Sequence, residues 1–169
     1  FLPPGPSAGA IPEEIIAGFI AAGTAAQDNY QVARSYLSEQ IREDWNPNYS
    51  VLIQSGEPEI SVVSNNTASY AVPIIASVDE WGRYLGATAV TEQALEFRFV
   101  RELGEWRLSA LPDGIVLSES AFSEAFNSFR LYYFSLGYRE LVADVRWFAT
   151  RGEVSAKIVR ALLQAPSFW

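Results

Sequence analysis

The segment Leu95-Glu-Phe-Arg-Phe-Val-Arg101 largely alternates apolar and charged side chains. Because successive side chains of a strand point to opposite faces, this alternation predicts one face against a core and one face in solvent. Such an arrangement is typical of an antiparallel sheet with a single covered face. The fold class therefore depends on which part of the chain supplies the covering layer.

Strand-like patterns extend on both sides of this segment, from Tyr49 to Leu111. A long strand is predicted over Ser69–Val78, where Pro73 requires a bulge or an edge position because proline cannot donate to a ladder. The stretch Asp79-Glu-Trp-Gly-Arg-Tyr84 is typical of a hairpin loop. Further strands are predicted at 51–53, 60–63, 85–90, 94–101 and 106–111.

Helical patterns precede the strands and can supply the covering layer. Pro12 suits the first turn of a helix, and Gly23 ends the apolar stripe that follows it. A second helix is predicted over about Asn29–Leu37, and Ser38 is placed to cap a short third turn. The sequence thus predicts an α+β domain with helices packed on one face of a curved antiparallel sheet.

The pattern changes again after Asp113-Gly114. Ser118 is placed to cap a helix through Phe126, and two strands are predicted at 129–134 and 142–149 before a last helix at 152–165. Charge changes at the same place: residues 1–129 carry a net charge of −11, whereas residues 130–169 carry +3. We predict a Pro/Gly-rich linker at 1–10, a domain at 11–128, and an incomplete β-β-α unit at 129–169.

Composition excludes several kinds of chemistry. The 169 residues include no histidine and no cysteine, and the net charge is −8. There is therefore no disulfide, no thiolate nucleophile, no Ser-His-Asp triad and no imidazole metal ligand. The acidic balance argues against binding along a nucleic-acid backbone. Since no phosphate loop or calcium loop can be written, no cofactor and no metal site are predicted.

The hairpin loop carries the candidate contact residues Trp81, Arg83 and Tyr84. Tryptophan, tyrosine and arginine are enriched at the centres of protein interfaces, and a polar turn does not need them for packing. The alternative is that Trp81 folds back onto the sheet beneath it. Tyr132 and Tyr133 lie in an apolar strand and are predicted to belong to a core.

Two places set a carboxylate beside a tryptophan: Asp79 and Glu80 precede Trp81, and Asp44 precedes Trp45. A carboxylate against an aromatic wall can have a raised pKa and so act as an acid or a base. The alternative is a solvated turn, in which such residues are common.

The stretch Trp106-Arg-Leu-Ser-Ala-Leu-Pro-Asp-Gly114, followed by Ser118–Phe126 and Leu131-Tyr-Tyr-Phe134, resembles the amino-terminal half of LpqB, an actinobacterial lipoprotein family. The resemblance implies that residues 11–128 form a cystatin-like (nuclear-transport-factor-like) cone. It also implies that residues 129–166 begin a spore-germination-type (GerMN) domain. No catalytic motif belongs to this half of the family.

The resemblance further implies a location and a partner. Such proteins sit on the outer face of the cytoplasmic membrane through a lipid on a cysteine upstream of this chain. They are associated with the MtrA–MtrB two-component system, so the expected partner is the extracellular domain of the sensor histidine kinase. A non-enzymatic role through protein contact is therefore expected.

The alternative is a cone that binds a small ligand or performs acid–base chemistry, as ketosteroid-isomerase-like cones do with an Asp base and oxyanion donors. Residues of suitable type on the predicted helices and sheet are Asp28, Tyr30, Tyr36, Asp44 and Tyr70.

Overall fold

The computed structural model describes residues 3–25 and 29–167. The helices are α1 (Pro12–Ala22), α2 (Gln31–Arg34), α3 (Glu119–Ala125) and α4 (Val154–Leu162). The strands are β1 (Ser50–Gln54), β2 (Glu59–Ser64), β3 (Thr67–Asp79), β4 (Tyr84–Glu102), β5 (Glu105–Ala110), β6 (Ile115–Ser118), β7 (Phe126–Phe134) and β8 (Leu141–Ala149). The predicted α+β class is confirmed.

The main sheet is curled and mostly antiparallel. Its strand order is β5-β4-β3-β1-β6, and β2 pairs with β3 beyond the end of β1. The β1–β6 pair is parallel, with Val51 opposite Ile115. Pro73 lies next to the predicted bulge, since Ile75 is skipped between the pairs that Ile74 and Ala76 make with the consecutive residues Gln54 and Ile53 of β1. The bulge adds local twist, which helps a sheet to curl.

Alternating side chains of the sheet fill its inner face. In β3 every second residue from Ala68 to Val78 is buried, and the inner face of β4 adds Leu95, Phe97 and Phe99. Helix α1 covers this face, where Phe19 packs edge-on against Phe97 with ring centroids 6.2 Å apart. The single covered face that the alternation at 95–101 predicted is therefore present.

The second predicted helix is much shorter than expected. Asn29 and Tyr30 have φ values of 54° and 60°, so the backbone is left-handed there and the helix begins only after them. It ends at Arg34, and the chain beyond it pairs with β5, since the Leu108 N–H donates to the Tyr36 carbonyl and the Ser38 N–H to the Leu108 carbonyl. Ser38 does not cap through its side chain: its carbonyl oxygen accepts from Ile41 and Arg42, whereas its Oγ is buried without a partner among the described residues. By contrast, Ser118 caps α3 as predicted, and its Oγ accepts from the Ala121 N–H.

A second, two-stranded sheet follows α3. Strands β7 and β8 pair from Phe126–Ala149 to Phe134–Leu141, and α4 packs against one face. Tyr133 lies in this small core, but Tyr132 is 54% exposed. The prediction of a buried Tyr132 was wrong because neighbouring residues of a strand face opposite sides and only one side of this sheet is covered by described residues.

We predict that Gly18→Ala destabilises the fold. Alanine is favoured over glycine by about 1 kcal/mol in a helix interior. Here, however, a Cβ would lie 2.7 Å from Cε1 of Tyr36, whose hydroxyl donates to the Pro4 carbonyl at 3.0 Å. We expect the free energy of unfolding in urea to fall by about 1–2 kcal/mol. The control Gly137→Ala, where no atom approaches, should change little; a stabilised Gly18→Ala variant would contradict the packing argument.

Candidate functional site

The hairpin loop between β3 and β4 is shaped by one carboxylate. Oδ1 of Asp79 accepts from the backbone N–H of Trp81 at 3.0 Å and of Arg83 at 2.8 Å. The backbone closes the same turn, since Gly82 donates to the Asp79 carbonyl at 3.0 Å. Asp79 thus has the turn-forming role that was the alternative to acid–base chemistry.

Gly82 joins this loop to the second sheet. Its carbonyl accepts from the Trp147 N–H at 2.7 Å. Its φ is +81°, and a Cβ would lie 2.7 Å from the ring of Phe148. Only glycine adopts this φ without strain and leaves room for the Phe148 ring. Gly82 therefore serves a contact within the chain.

A buried ion pair in β8 completes the junction. Arg146 is 0% exposed and donates from Nη2 to Oδ2 of Asp144 at 2.7 Å. Its Nη1 donates to the Trp81 carbonyl at 3.1 Å, and its Nη2 also reaches the Ala165 carbonyl at 3.3 Å. One guanidinium therefore joins β8 to the hairpin loop and to the segment that follows α4.

The same carboxylate holds the end of the described chain. Oδ2 of Asp144 accepts from both the N–H and the hydroxyl of Ser167, at 2.8 and 3.1 Å. Burial acts to raise the pKa of Asp144, but the hydrogen bonds from Arg146 and Ser167, with the charge of Arg146, outweigh it and leave the pKa below its ordinary value. Asp144 is therefore ionised at neutral pH.

Sequence reasoning missed this pair, although a signal for it exists. In Val142-Ala-Asp-Val-Arg-Trp-Phe-Ala149 the charged residues 144 and 146 have the same parity as Phe148. Same parity means the same face of the strand, and Phe148 is buried on that face. Two opposite charges on an apolar face predict a buried pair.

The three predicted contact residues lie at this junction. Arg83 donates to the Ala165 carbonyl at 2.6 Å, and its guanidinium lies 5.6 Å from the centre of the Trp81 ring. Tyr84 is 45% exposed and leans on Phe122 and Trp147, with centroid distances of 6.2 and 5.9 Å. Trp81 is half-buried. Contacts within the chain thus hold all three side chains at a partly open surface.

Trp81 also borders an open groove, which we name the Trp81 groove. It has a volume of about 230 Å³ and runs along the outer face of the main sheet. Its apolar walls come from Trp81, Leu52 and the exposed ring of Tyr49, and Asp79 and Glu80 lie at one end. An aromatic-lined concavity with a charged rim suits an apolar side chain presented by another molecule.

Among the described residues named for acid–base chemistry, none is hydrogen-bonded to another. Asp28 lies outside the described residues. Asp44 is exposed, and the hydroxyls of Tyr36 and Tyr70 donate to the Pro4 carbonyl and the Gln54 side chain. Burial raises the pKa of both Tyr30 and Tyr70 to about 12, so both phenols remain protonated at neutral pH.

Two kinds of feature are absent from residues 3–25 and 29–167. No three acidic side chains there lie close enough together to hold a metal ion. None of the helices there is both long and apolar enough to span a bilayer.

Fold and site together define a small α+β domain with a curled sheet, to which a hairpin-and-helix unit is joined through a structured loop. Comparison with protein families is more specific. Residues 5–123 match the family model "Lipoprotein LpqB, N-terminal domain". The chain belongs to the LpqB lipoprotein family, as the motifs at 106–134 indicated.

Curated relatives agree with this assignment. The chain is 28% identical to "Lipoprotein LpqB" of Bifidobacterium longum over 98% of its length, and 30% identical to that of Cutibacterium acnes over 83%. It covers 31% and 24% of those two proteins, so it spans about a quarter to a third of the length of these curated relatives. No solved structure matches the chain.

We predict that Asp144→Asn lowers the free energy of unfolding by about 3–5 kcal/mol, because it leaves Arg146 buried without a counter-charge. Urea unfolding measures the change. The matched control is Glu96→Gln, which breaks the exposed Arg98–Glu96 pair of similar length, 2.8 Å. This control should cost about 1 kcal/mol or less. Equal losses in the two variants would contradict the special place given to the buried pair.

We also predict a pH dependence from the lowered pKa of Asp144. A carboxyl whose folded pKa lies below its unfolded value stabilises the fold above the unfolded pKa, about 3.9. That contribution is lost as pH falls through the folded pKa. Urea midpoints measured from about pH 5 to pH 2 should therefore fall more steeply for the parent chain than for Asp144→Asn. If the urea midpoints of the two proteins fall in parallel with pH, Asp144 does not contribute to the pH dependence of stability.

Proposed function

We propose that this chain is the contact-making, non-enzymatic part of a lipid-anchored lipoprotein on the outer face of the cytoplasmic membrane. Its partner is the extracellular domain of the sensor kinase of an MtrA–MtrB-type two-component system. Membership of the LpqB family supports the lipoprotein part of the proposal. The observation that carries the contact part is the Trp81 groove, which is lined by Trp81 and the exposed Tyr49, with the guanidinium of Arg83 5.6 Å from the centre of the Trp81 ring.

The surface has the features of a preformed contact site. Asp79 holds the loop backbone, and Arg146 and Trp147 fix it from the opposite side. A preordered loop loses little conformational entropy when a partner binds, so more of the contact energy remains as affinity. Trp81 in the groove would be the anchor, with the guanidinium of Arg83 against its ring.

The domain organisation belongs to the same proposal. Residues 11–128 would form a cystatin-like cone, and the curled sheet with α1 packed on it supports this part of the proposal. Residues 129–169 would be the start of a GerMN-like domain. The outer face of β7–β8 supports this, because Tyr132, Phe134 and Leu141 are exposed there. An apolar face of this kind is the expected result when only part of a domain is present.

We predict that Trp81→Ala weakens binding to the purified extracellular domain of the kinase. Loss of an interface anchor costs at least about 2 kcal/mol, which is about 30-fold in Kd. Calorimetric titration of the 169-residue chain measures it. The control is Tyr138→Ala, which removes another exposed aromatic side chain, 78% accessible, in the β7–β8 turn.

Equal affinity of Trp81→Ala and the parent chain would remove the groove from the interface. No binding of the parent chain at high micromolar concentration would contradict the proposed partner for this part of the protein.

A further inference from the structure

A second concavity, which we name the cation cleft, lies where the beginning of α4 approaches the main domain. It has a volume of about 380 Å³. Arg151, Lys157 and Arg160 line one side, and the opposite wall includes Tyr30 and Asn48. The cleft thus brings basic residues of the positively charged segment 130–169 against the acidic remainder of the chain.

The three cations of the cleft are not neutralised by nearby acids. Within the described residues the ion pairs are Arg98–Glu96 and Arg146–Asp144, and neither involves the cleft. Glu153 is the one carboxylate in the lining, so the formal charge of the lining side chains is +2. An open cleft that keeps this charge in a chain of net charge −8 is complementary to an anion.

Lys157 is held in place rather than spread into solvent. Its Nζ donates to Oδ1 of Asn48 at 2.8 Å. Burial and then the charge of Arg160 lower its pKa, so the two cations are close enough to repel each other. Lys157 and Arg160 are three residues apart on α4 and therefore share one face of the helix. An anion between them would relieve the repulsion that the free cleft contains.

Tyr30 supplies a polar group on the other wall. The residue is 5% exposed, and its ring packs edge-on against Trp45 with centroids 6.2 Å apart. No hydrogen bond between described residues involves its hydroxyl, and Tyr30 lines the cleft. Because the pKa of this phenol is about 12, the hydroxyl carries its proton at neutral pH and can donate it in a hydrogen bond.

We propose that the cation cleft binds a phosphate-bearing anion between α4 and the wall formed by Tyr30 and Asn48. A phosphate group offers up to two negative charges and three acceptor oxygens, which suits two or three cations and one hydroxyl better than a single carboxylate does. The volume admits a phosphate with a small organic group attached. The phosphate can come from a lipid headgroup or from a soluble compound. The site is separate from the proposed kinase contact and does not depend on it.

The experiment uses Lys157 as the reporter, since it is the single lysine of the chain. Reductive ¹³C-methylation of the 169-residue chain keeps the charge and gives one lysine signal by NMR, apart from the N-terminal amine. Titration with inorganic phosphate should shift this signal saturably and raise the pKa of Lys157. Sodium chloride at equal ionic strength should neither shift the signal saturably nor raise the pKa of Lys157. A phosphate effect no larger than the chloride effect overturns the proposal.

Three variants test the geometry. Arg160→Gln should weaken phosphate binding about 10-fold, the effect of losing one charge-assisted contact of about 1.4 kcal/mol. Tyr30→Phe removes only the hydroxyl and should weaken phosphate binding about 3- to 10-fold. Arg139→Gln removes one charge of the same segment outside the cleft, and it should leave the affinity within about 2-fold. Equal weakening by Arg139→Gln and Arg160→Gln would overturn the site, because only general charge attraction would then operate.

Vesicles identify the source of the phosphate. In the first outcome the chain sediments with phosphatidylglycerol vesicles but not with phosphatidylcholine vesicles, and Lys157→Gln abolishes the difference. The proposal then stands with a lipid headgroup as ligand. In the second outcome the Lys157 signal saturates with free phosphate and neither vesicle binds, which supports a soluble ligand. Vesicle binding that Lys157→Gln does not change, together with no response to phosphate, overturns the proposal.

Discussion

The placement of the carboxyl-terminal unit depends on the buried guanidinium of Arg146. Its partners come from three parts of the chain: Asp144 beside it, the Trp81 carbonyl in the β3–β4 loop, and the Ala165 carbonyl beyond α4. A buried charge pair contributes little net stability, because removing two charges from water costs about as much as their attraction returns. Its effect is specificity, since any other docking would bury the same charge without these acceptors.

This constraint shapes both candidate surfaces. By fixing the loop backbone at Trp81 and Gly82, it sets the angle at which the Trp81 ring borders its groove. By fixing β8 against the same loop, it also places Arg151 and the beginning of α4 opposite Tyr30. The charge pair lines neither the groove nor the cleft, but through the backbone of the β3–β4 loop and of β8 it contributes to the geometry of both.

Local sequence patterns predicted most of the helices and strands. The errors arise where the structure depends on contacts between residues far apart in the chain. Pro12 and Gly23 marked α1, and the alternation at 95–101 identified the covered face, because both depend on neighbouring residues.

The parallel β1–β6 pair joins Val51 to Ile115, and no local pattern in 115–118 predicts such a partner. The helix that apolar spacing favoured at 29–37 is shortened at its start by the left-handed backbone at Asn29 and Tyr30, and at its end by the pairing of residues 36–38 with Leu108. Of the site, the loop at 79–84 was found from its composition, whereas Asp144 and the cation cleft needed knowledge of which faces meet.

The groove and the cleft lie beside neighbouring residues of one segment, which raises the question of whether binding at one affects the other. Asn48 lines the cleft and its neighbour Tyr49 lines the groove. This segment is tied down, because the Asn46 N–H donates to Asp113 at 2.8 Å and the Asn46 carbonyl accepts from Gly114 at 2.9 Å. A ligand changes a distant surface only if it prefers one of two conformations of the part between them. Because these hydrogen bonds tie the segment down at Asn46, phosphate in the cleft and a protein in the groove should bind independently.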